Sequence, residues 1–323
     1  MRWIGLCVAL AMVSTPPLHA VQVQHGTAHQ HASPGDSTVP VVSETLATQV
    51  ALDRAGFSPG EIDGQPGSNL KRALSAYQGA RGLTASGSLD EPTWSHLQQE
   101  TAGQPPLISY TITEPDVAGP FTADIPADLM AQSKLDTLGY RSMLEALGER
   151  VHSSPALLMS LNPGATFMTA GESIVVPNVG AGQIAATSPV TVIVTKATSA
   201  LTLEDESQHV VFQAPVTSGS EHDPLPIGTW KVTGVQQNPT FNYNPALFWD
   251  AKPAQSRAKI PAGPNNPVGT VWMDLSKPHY GIHGTPEPAK IGHVESHGCV
   301  RLTNWDAQRV AALVKPGTRV IFR

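Results

Sequence analysis

The residues best suited to chemistry lie near the end of the chain, where a cysteine follows two histidines. His297 stands two residues before Cys299, and His283 lies further upstream. A thiol attacks acyl groups as the thiolate, so it needs a neighbour that lowers its pKa or accepts its proton. An imidazole titrates near neutrality and suits this task. The pattern predicts a cysteine nucleophile with a histidine base.

The spacing also suggests how the site is built. If the segment around Cys299 is extended, His297 points to the same side of the chain, and His283 comes from an adjacent strand end or loop. Gly298 leaves the backbone unobstructed, so we expect the amides of Gly298 and Cys299 to face a developing oxyanion. The alternative is an inert buried cysteine beside structural imidazoles. The Ser-His-Gly sequence before Cys299 weighs against it.

Composition bounds the class of protein. The chain has 323 residues, 28 Gly, 29 Pro and a formal charge of −6, which indicates several domains with linkers and argues against nucleic-acid or anionic-membrane partners. Three histidines in residues 21–40 lack a Cys or carboxylate set around them, so this segment is predicted to be a linker and not a metal site.

The first twenty residues have the pattern of a secretory signal. A basic start precedes an apolar run at Ile4–Val13, and Leu18–Ala20 has the form of a cleavage site. Two prolines interrupt the apolar run too early for a membrane span. We therefore expect export to the periplasm or cell wall, with residues 1–20 removed and no transmembrane segment in the mature chain. The second cysteine, Cys7, would leave with the signal.

Hydrophobic spacing divides the remainder of the chain. Three helices are predicted in residues 41–102, of which the second covers Asn69–Arg81. Residues 103–138 are predicted to be a linker, residues 139–179 a small α+β module and residues 180–188 a second linker. Residues 189–323 are rich in short strands and contain one late helix, Asn304–Val314. The expected fold is multidomain, with a mainly β sandwich or barrel-like domain last.

Two resemblances concern the first two modules. Ile62-Asp63-Gly64 and Ala73–Gln78, with Gly82-Leu83 and Thr93-Trp94, resemble the small helical peptidoglycan-binding domain, although Gln65–Gly67 departs from its pattern. Residues 139–179 are similar to a degenerate LysM module without its usual opening strand. These resemblances imply a peptidoglycan partner for both modules.

A third resemblance covers residues 189–323. His283-Gly284-Thr285 and Ser296–Leu302 resemble the YkuD-like L,D-transpeptidase family, with further matches in the expected order at Val216–Gly219, Pro226–Trp230 and Gly263–Gly269. The resemblance implies a mainly β fold and no metal or cofactor.

The same resemblance implies roles for individual residues. Cys299 would be the acylated nucleophile, with His283 as its base, oriented by a neighbouring backbone carbonyl. His297 and Ser296 would support the site, and Arg301 would help to form the substrate pocket. The oxyanion and substrate contacts are expected near Gly298 and Gly284.

The implied activity acts on peptidoglycan stem peptides. It would cleave the bond between the third stem residue and D-alanine, leave a thioester on Cys299, and pass the acyl group to an amine of a second stem as a 3→3 cross-link. Water as acceptor would give a carboxypeptidase, and a lipoprotein lysine would give protein anchoring. A non-catalytic wall-binding protein and a papain-like peptidase are the competing interpretations. In the latter, cysteine usually precedes histidine, whereas here His283 comes first.

Overall fold

The computed structural model describes residues 42–180 and 189–323. The predicted signal peptide, residues 1–20, and the predicted linker 21–40 lie outside the described residues, as does the predicted linker 180–188 except for Gly180. The described residues form three units that pack against one another.

The first unit consists of three helices: α1 Glu44–Arg54, α2 Ser68–Ala80 and α3 Glu91–Glu100. The side chains of Ser43 and Asp90 cap α1 and α3 by accepting hydrogen bonds from backbone amides in the first turn. The helices surround buried apolar side chains that include Phe57 and Tyr77, whose rings meet edge to face. The helical spacing of the sequence is confirmed here.

The second unit begins earlier than the sequence indicated. Strand β1 Leu107–Thr111 pairs antiparallel with β2 Ser173–Pro177, and four helices lie between them: α4 Glu114–Ala118, α5 Leu129–Gln132, α6 Met143–Arg150 and α7 Pro155–Leu161. Residues 103–138 are therefore not simply a linker, because they contribute one strand and two short helices to this unit. The partner of β1 lies more than sixty residues away, so local composition could not reveal the strand.

The third unit carries most of the strands. They are β3 Thr191–Thr195, β4 Ala200–Glu204, β5 Val210–Pro215, β6 Thr217–Ser218, β7 Gly228–Gln237, β8 Phe241–Tyr243, β9 Ala258–Ile260, β10 Val271–Leu275, β11 Gly281–His283, β12 Val300–Arg301 and β13 Arg319–Phe322. One α-helix, α8 Asn304–Leu313, and three short 3₁₀ helices, Lys196–Thr198, Pro245–Leu247 and Pro288–Lys290, complete it. The predicted late helix is confirmed.

Nine of these strands form one mixed sheet in the order β5-β4-β3-β13-β7-β10-β11-β12-β6. The β3–β13 and β11–β12 pairs are parallel, and the other pairs are antiparallel. The two edge strands, β5 and β6, are separated in the chain only by Val216. The sheet must therefore curl until its edges approach each other, which gives the nearly barrel-like form. The apolar core lies inside this curve, and α8 contributes Ala307 and Val310 to it.

A buried polar cluster joins the three units, and we call it the junction cluster: Asp53, Ser58, His152, Trp305, Asp306 and Arg309. Arg309 of α8 donates two 2.8 Å hydrogen bonds to the carboxylate of Asp53 in α1. The His152 ring, from the α6–α7 turn, lies 3.0 Å from the same carboxylate and stacks on Trp305. Each unit contributes at least one side chain, so the amino-terminal modules are docked on the β domain.

No helix in residues 42–180 or 189–323 combines the length and the apolar character needed to cross a membrane.

Candidate active site

Two short parallel strands bring the predicted site residues together. Strand β11 pairs with β12 so that Ile282 lies opposite Val300, and His283 opposite Arg301. Ile282 and Val300 are both fully buried in the core of the sheet. Side chains alternate along a strand, so His283 and Arg301 occupy the opposite face. Cys299 directly precedes β12, and its thiol lies beside the start of β11, 3.9 Å from the carbonyl oxygen of His279.

The His283 imidazole is held in one orientation. Its Nδ1 lies 2.7 Å from the carbonyl oxygen of Gly284 and must donate the proton, because a carbonyl only accepts. The ring is nearly parallel to that of Trp272, with centroids 5.2 Å apart. A side chain at position 284 would collide with Asn304, so glycine is required at the residue whose carbonyl accepts the hydrogen bond from His283. Nε2 is left as the unprotonated nitrogen, and the neighbouring carbonyl expected from the sequence is present.

Burial also keeps this imidazole neutral. The pKa of His283 falls to about 3, chiefly because the ring is removed from water, and the Arg301 guanidinium adds to the effect. A neutral imidazole with a free Nε2 can accept a proton. The ring is therefore neutral in the free protein, with Nε2 available as a proton acceptor.

The thiol of Cys299 sits at a tight turn. Ser296 Oγ donates a 2.6 Å hydrogen bond to the Cys299 carbonyl and accepts one of 2.7 Å from the Gly219 amide beside β6. Gly298 has a φ of +95°, and a Cβ there would lie 2.8 Å from the Tyr280 ring. Glycine at 298 and serine at 296 therefore fix where the thiol stands.

The surroundings of the Cys299 thiol favour its neutral form. Burial raises the pKa of this thiol above its ordinary value. The Gly281 amide and the Arg301 charge act in the opposite direction, whereas the Asp223 carboxylate raises the pKa further. In the free protein the site therefore holds a thiol beside a neutral imidazole.

His297 differs from the expectation that it shares the side of Cys299. The backbone of residues 296–299 is a turn, and β12 begins only at Val300, so the premise of an extended segment is wrong. The His297 ring bonds through Nε2 to Asp250 at 3.0 Å and packs against Phe248 and Trp249. It connects residues 296–299, which we call the catalytic turn, to the loop between β8 and β9.

Arg301 borders a cavity of about 200 Å³. Thr285, Glu287, Lys290, Ile291 and Val294 form the remainder of its lining. The Nε atom of Arg301 is buried without a hydrogen-bond partner among the described residues. A buried donor of this kind gains from an incoming acceptor. The cavity is open to a substrate group with acceptor oxygens.

Several side chains around the site had no signal in the sequence. His222 and Trp249 stack with centroids 4.3 Å apart, and Trp249 is 60% exposed. The Asp223 carboxylate raises the pKa of the Cys299 thiol, and the Tyr280 ring packs against Gly298. His222, Asp223 and Trp249 belong to loops at least 50 positions before Cys299 in the sequence, so spacing could not associate them with the site. In the described ranges, no three His, Cys, Asp or Glu side chains converge as metal ligands.

Comparisons with known proteins agree with this geometry. Residues 189–322 match the L,D-transpeptidase catalytic domain, and residues 43–97 match a peptidoglycan binding domain family. The chain is 32% identical over 178 residues to YkuD of Bacillus subtilis (strain 168), whose name designates an L,D-transpeptidase; the match covers 55% of this chain and 91% of that protein. YbiS of Escherichia coli (strain K12), named for the same activity, is 29% identical over 217 residues, or 64% of this chain and 69% of its own. The chain therefore belongs to the L,D-transpeptidase family and is an L,D-transpeptidase.

Proposed function

We propose that Cys299 forms a thioester with a peptidoglycan stem peptide and that His283 transfers the protons. The observation that carries this proposal is the pairing of β11 with β12, which brings the turn that carries Cys299 next to the strand that carries a histidine with its Nε2 free. This is the nucleophile-and-base arrangement of covalent acyl transfer.

The first half-reaction forms one bond and breaks one. Sulfur of Cys299 attacks the carbonyl carbon that joins the third stem residue to D-alanine, while Nε2 of His283 takes the thiol proton. The same proton then passes to the departing nitrogen of D-alanine, leaving a thioester and a neutral imidazole. Because the thiol pKa is raised and the imidazole pKa lowered, the proton moves as sulfur attacks and not beforehand.

The second half-reaction repeats these steps in reverse order. An amine of a second stem attacks the thioester, loses its proton to His283 and forms the new amide, and Cys299 recovers the proton. Backbone amides at Gly298 and Cys299 would stabilise the oxyanion in both steps. Arg301, with its unpartnered Nε, would donate a hydrogen bond to an oxygen of the bound stem in the adjoining cavity.

The 3→3 cross-link is the product that we propose, with water or a lipoprotein lysine as the competing acceptors. The signal-like residues 1–20 support export and action in the periplasm or cell wall. The peptidoglycan-binding-like domain, which fits this substrate, supports the same location.

Intact mass spectrometry of the full chain tests the proposal. Incubation with a purified tetrapeptide-stem muropeptide should give a covalent adduct of the tripeptide-containing donor, release of D-alanine, and a cross-linked dimer. Cys299→Ala should give none of these while keeping the circular dichroism spectrum of the wild type. D-alanine release by Cys299→Ala would overturn the thioester mechanism, and release without any dimer would favour the carboxypeptidase.

A further inference from the structure

Helix α2 of the amino-terminal domain directly contacts the loop that leads into the catalytic turn. Asn69 Nδ2 donates a 2.9 Å hydrogen bond to the carbonyl oxygen of Ile291. Arg72 donates to Asn69 Oδ1 at 2.6 Å and to the Gly292 carbonyl at 3.4 Å. A Cβ on Gly292 would collide with Asn69 Oδ1, so the side-chain amide of Asn69 packs directly against the backbone of the loop. Asn69 is thus fixed on one side and holds the loop on the other.

The opposite side of the same loop is bonded to the catalytic sheet. The Gly292 amide donates a 3.0 Å hydrogen bond to Thr217 Oγ1, and Thr217 of β6 pairs with Arg301 of β12. Ile291 is buried and lines the cavity next to Arg301. The cavity wall at Ile291 is therefore held between α2 and β6.

Helix α2 cannot be treated as a mobile tether, because its domain is docked elsewhere. Two backbone hydrogen bonds join the first unit to β5. The Ser58 amide donates to the Gln213 carbonyl, and the Gln213 amide donates to the Gly56 carbonyl. The buried Asp53–Arg309 pair joins it to α8. These contacts lie outside the 290–294 loop, so the position of Asn69 does not depend on the loop.

Resting on the function proposed above, we propose that Asn69 is a positioning residue for the transpeptidase reaction. It holds the Ile291 carbonyl and, through it, the cavity wall that faces the substrate beside Arg301. The amino-terminal domain, which matches a peptidoglycan binding domain family, thereby also forms part of the substrate site. Asn69 acts through Ile291 and does not contact the reacting atoms.

The test uses the full chain and two isosteric changes. Asn69→Asp keeps the acceptor that Arg72 bonds but replaces the donor to Ile291 with an oxygen that repels the carbonyl. Asn178→Asp is the matched control. The Nδ2 atom of Asn178 also donates to a backbone carbonyl, that of Pro105, at 2.9 Å. Its Oδ1 atom also accepts from an arginine, Arg54, at 3.0 Å. All of those partners lie outside the β domain.

Three measurements are made on each variant. Hydrogen exchange of the amides in residues 289–299 should become about fivefold faster in Asn69→Asp, since a bond that holds the loop is lost. The KM for the tetrapeptide-stem muropeptide should rise about tenfold, because a displaced subsite weakens substrate positioning. The rate of Cys299 alkylation by iodoacetamide should stay within about twofold of wild type, because the thiol environment is unchanged. Asn178→Asp should change none of the three by more than about twofold.

Each outcome decides the matter. Unchanged exchange in Asn69→Asp, or faster exchange with unchanged KM, would overturn the inference. An equal KM increase in Asn178→Asp would show that the effect comes from a general loss of contact between the domains, and it would also overturn the inference. A wild-type chain without turnover would refute the proposed function and with it the catalytic part of this inference, whereas the exchange result would still decide whether α2 holds the loop.

Discussion

The protein contains two clusters of polar side chains that differ in how the charged group at the centre of each is partnered. The junction cluster combines Asp53, His152 and Arg309, and the catalytic face combines Cys299, His283 and Arg301. In the first, the two oxygens of the Asp53 carboxylate make three contacts of 2.8–3.0 Å with two partners, His152 and Arg309. In the second, Arg301 Nε has no partner in the described parts of the chain, and the thiol is held in its neutral form.

The difference shows how the same residue types are assigned to stability or to chemistry. The buried Asp53 charge, whose two oxygens both accept hydrogen bonds, fixes the elements that carry its partners, and removing one partner is costly. A buried group that lacks a partner is stabilised when a ligand supplies one. We expect variants of the junction cluster to change the free energy of unfolding, and variants of the catalytic face to change the reaction rate.

The largest expected effect is on the catalytic face. His283→Ala should lower the rate of Cys299 acylation by the muropeptide about 1,000-fold, because the proton acceptor is lost. Single-turnover mass spectrometry measures this rate. His297→Ala is the control and should cost less than about fivefold, since it removes only a half-exposed pair with Asp250 and ring contacts. A greater loss in His297→Ala than in His283→Ala would transfer the role of base to His297.

The next effect is on the junction cluster. Asp53→Asn leaves Arg309 buried without its main countercharge, so the free energy of unfolding should fall by about 3–5 kcal/mol. Urea denaturation at pH 7 measures it, and acylation by the folded variant should stay close to wild type. Asp250→Asn, which neutralises a half-exposed carboxylate, should cost less than about 1 kcal/mol. Equal stability of Asp53→Asn and wild type would show that the cluster does not hold the modules in place.

The smallest effect is a pH dependence at Asp306. Burial raises the pKa of this carboxyl to about 6, and the Asp53 charge acts in the same direction, although Arg309 opposes both. Between about pH 4 and pH 6 the folded state keeps a proton that the unfolded chain has lost, so this contribution to stability declines as the pH rises. The wild type should therefore lose about 2–3 kcal/mol relative to Asp306→Asn between pH 4 and pH 7. A difference that is constant over this range would contradict the assignment.

The motifs of the sequence already contained the components of the site. The sequence offers His283 and His297 as candidate bases, the resemblance to the L,D-transpeptidase family implies His283, and the Ser-His-Gly before Cys299 indicates the nucleophile. These features are local, because glycines at 284 and 298 admit backbone paths that any side chain would block. The helices α2 and α8 were also evident, since their apolar spacing and end residues are encoded within a few turns.

Only the tertiary structure decided which distant residues complete these local motifs. His297 turns to Asp250 because Gly298 adopts a left-handed conformation, which its position two residues from Cys299 does not reveal. Strand β1 exists because β2 supplies its hydrogen bonds, and Asp53 is tolerated in the interior because Arg309 reaches it from α8. The sequence by itself predicted Cys299 as the nucleophile, with His283 and His297 as candidate bases, since these predictions depend on residue type and local motifs. Contacts across tens or hundreds of positions depend on how the units dock, and the fold alone assigned them.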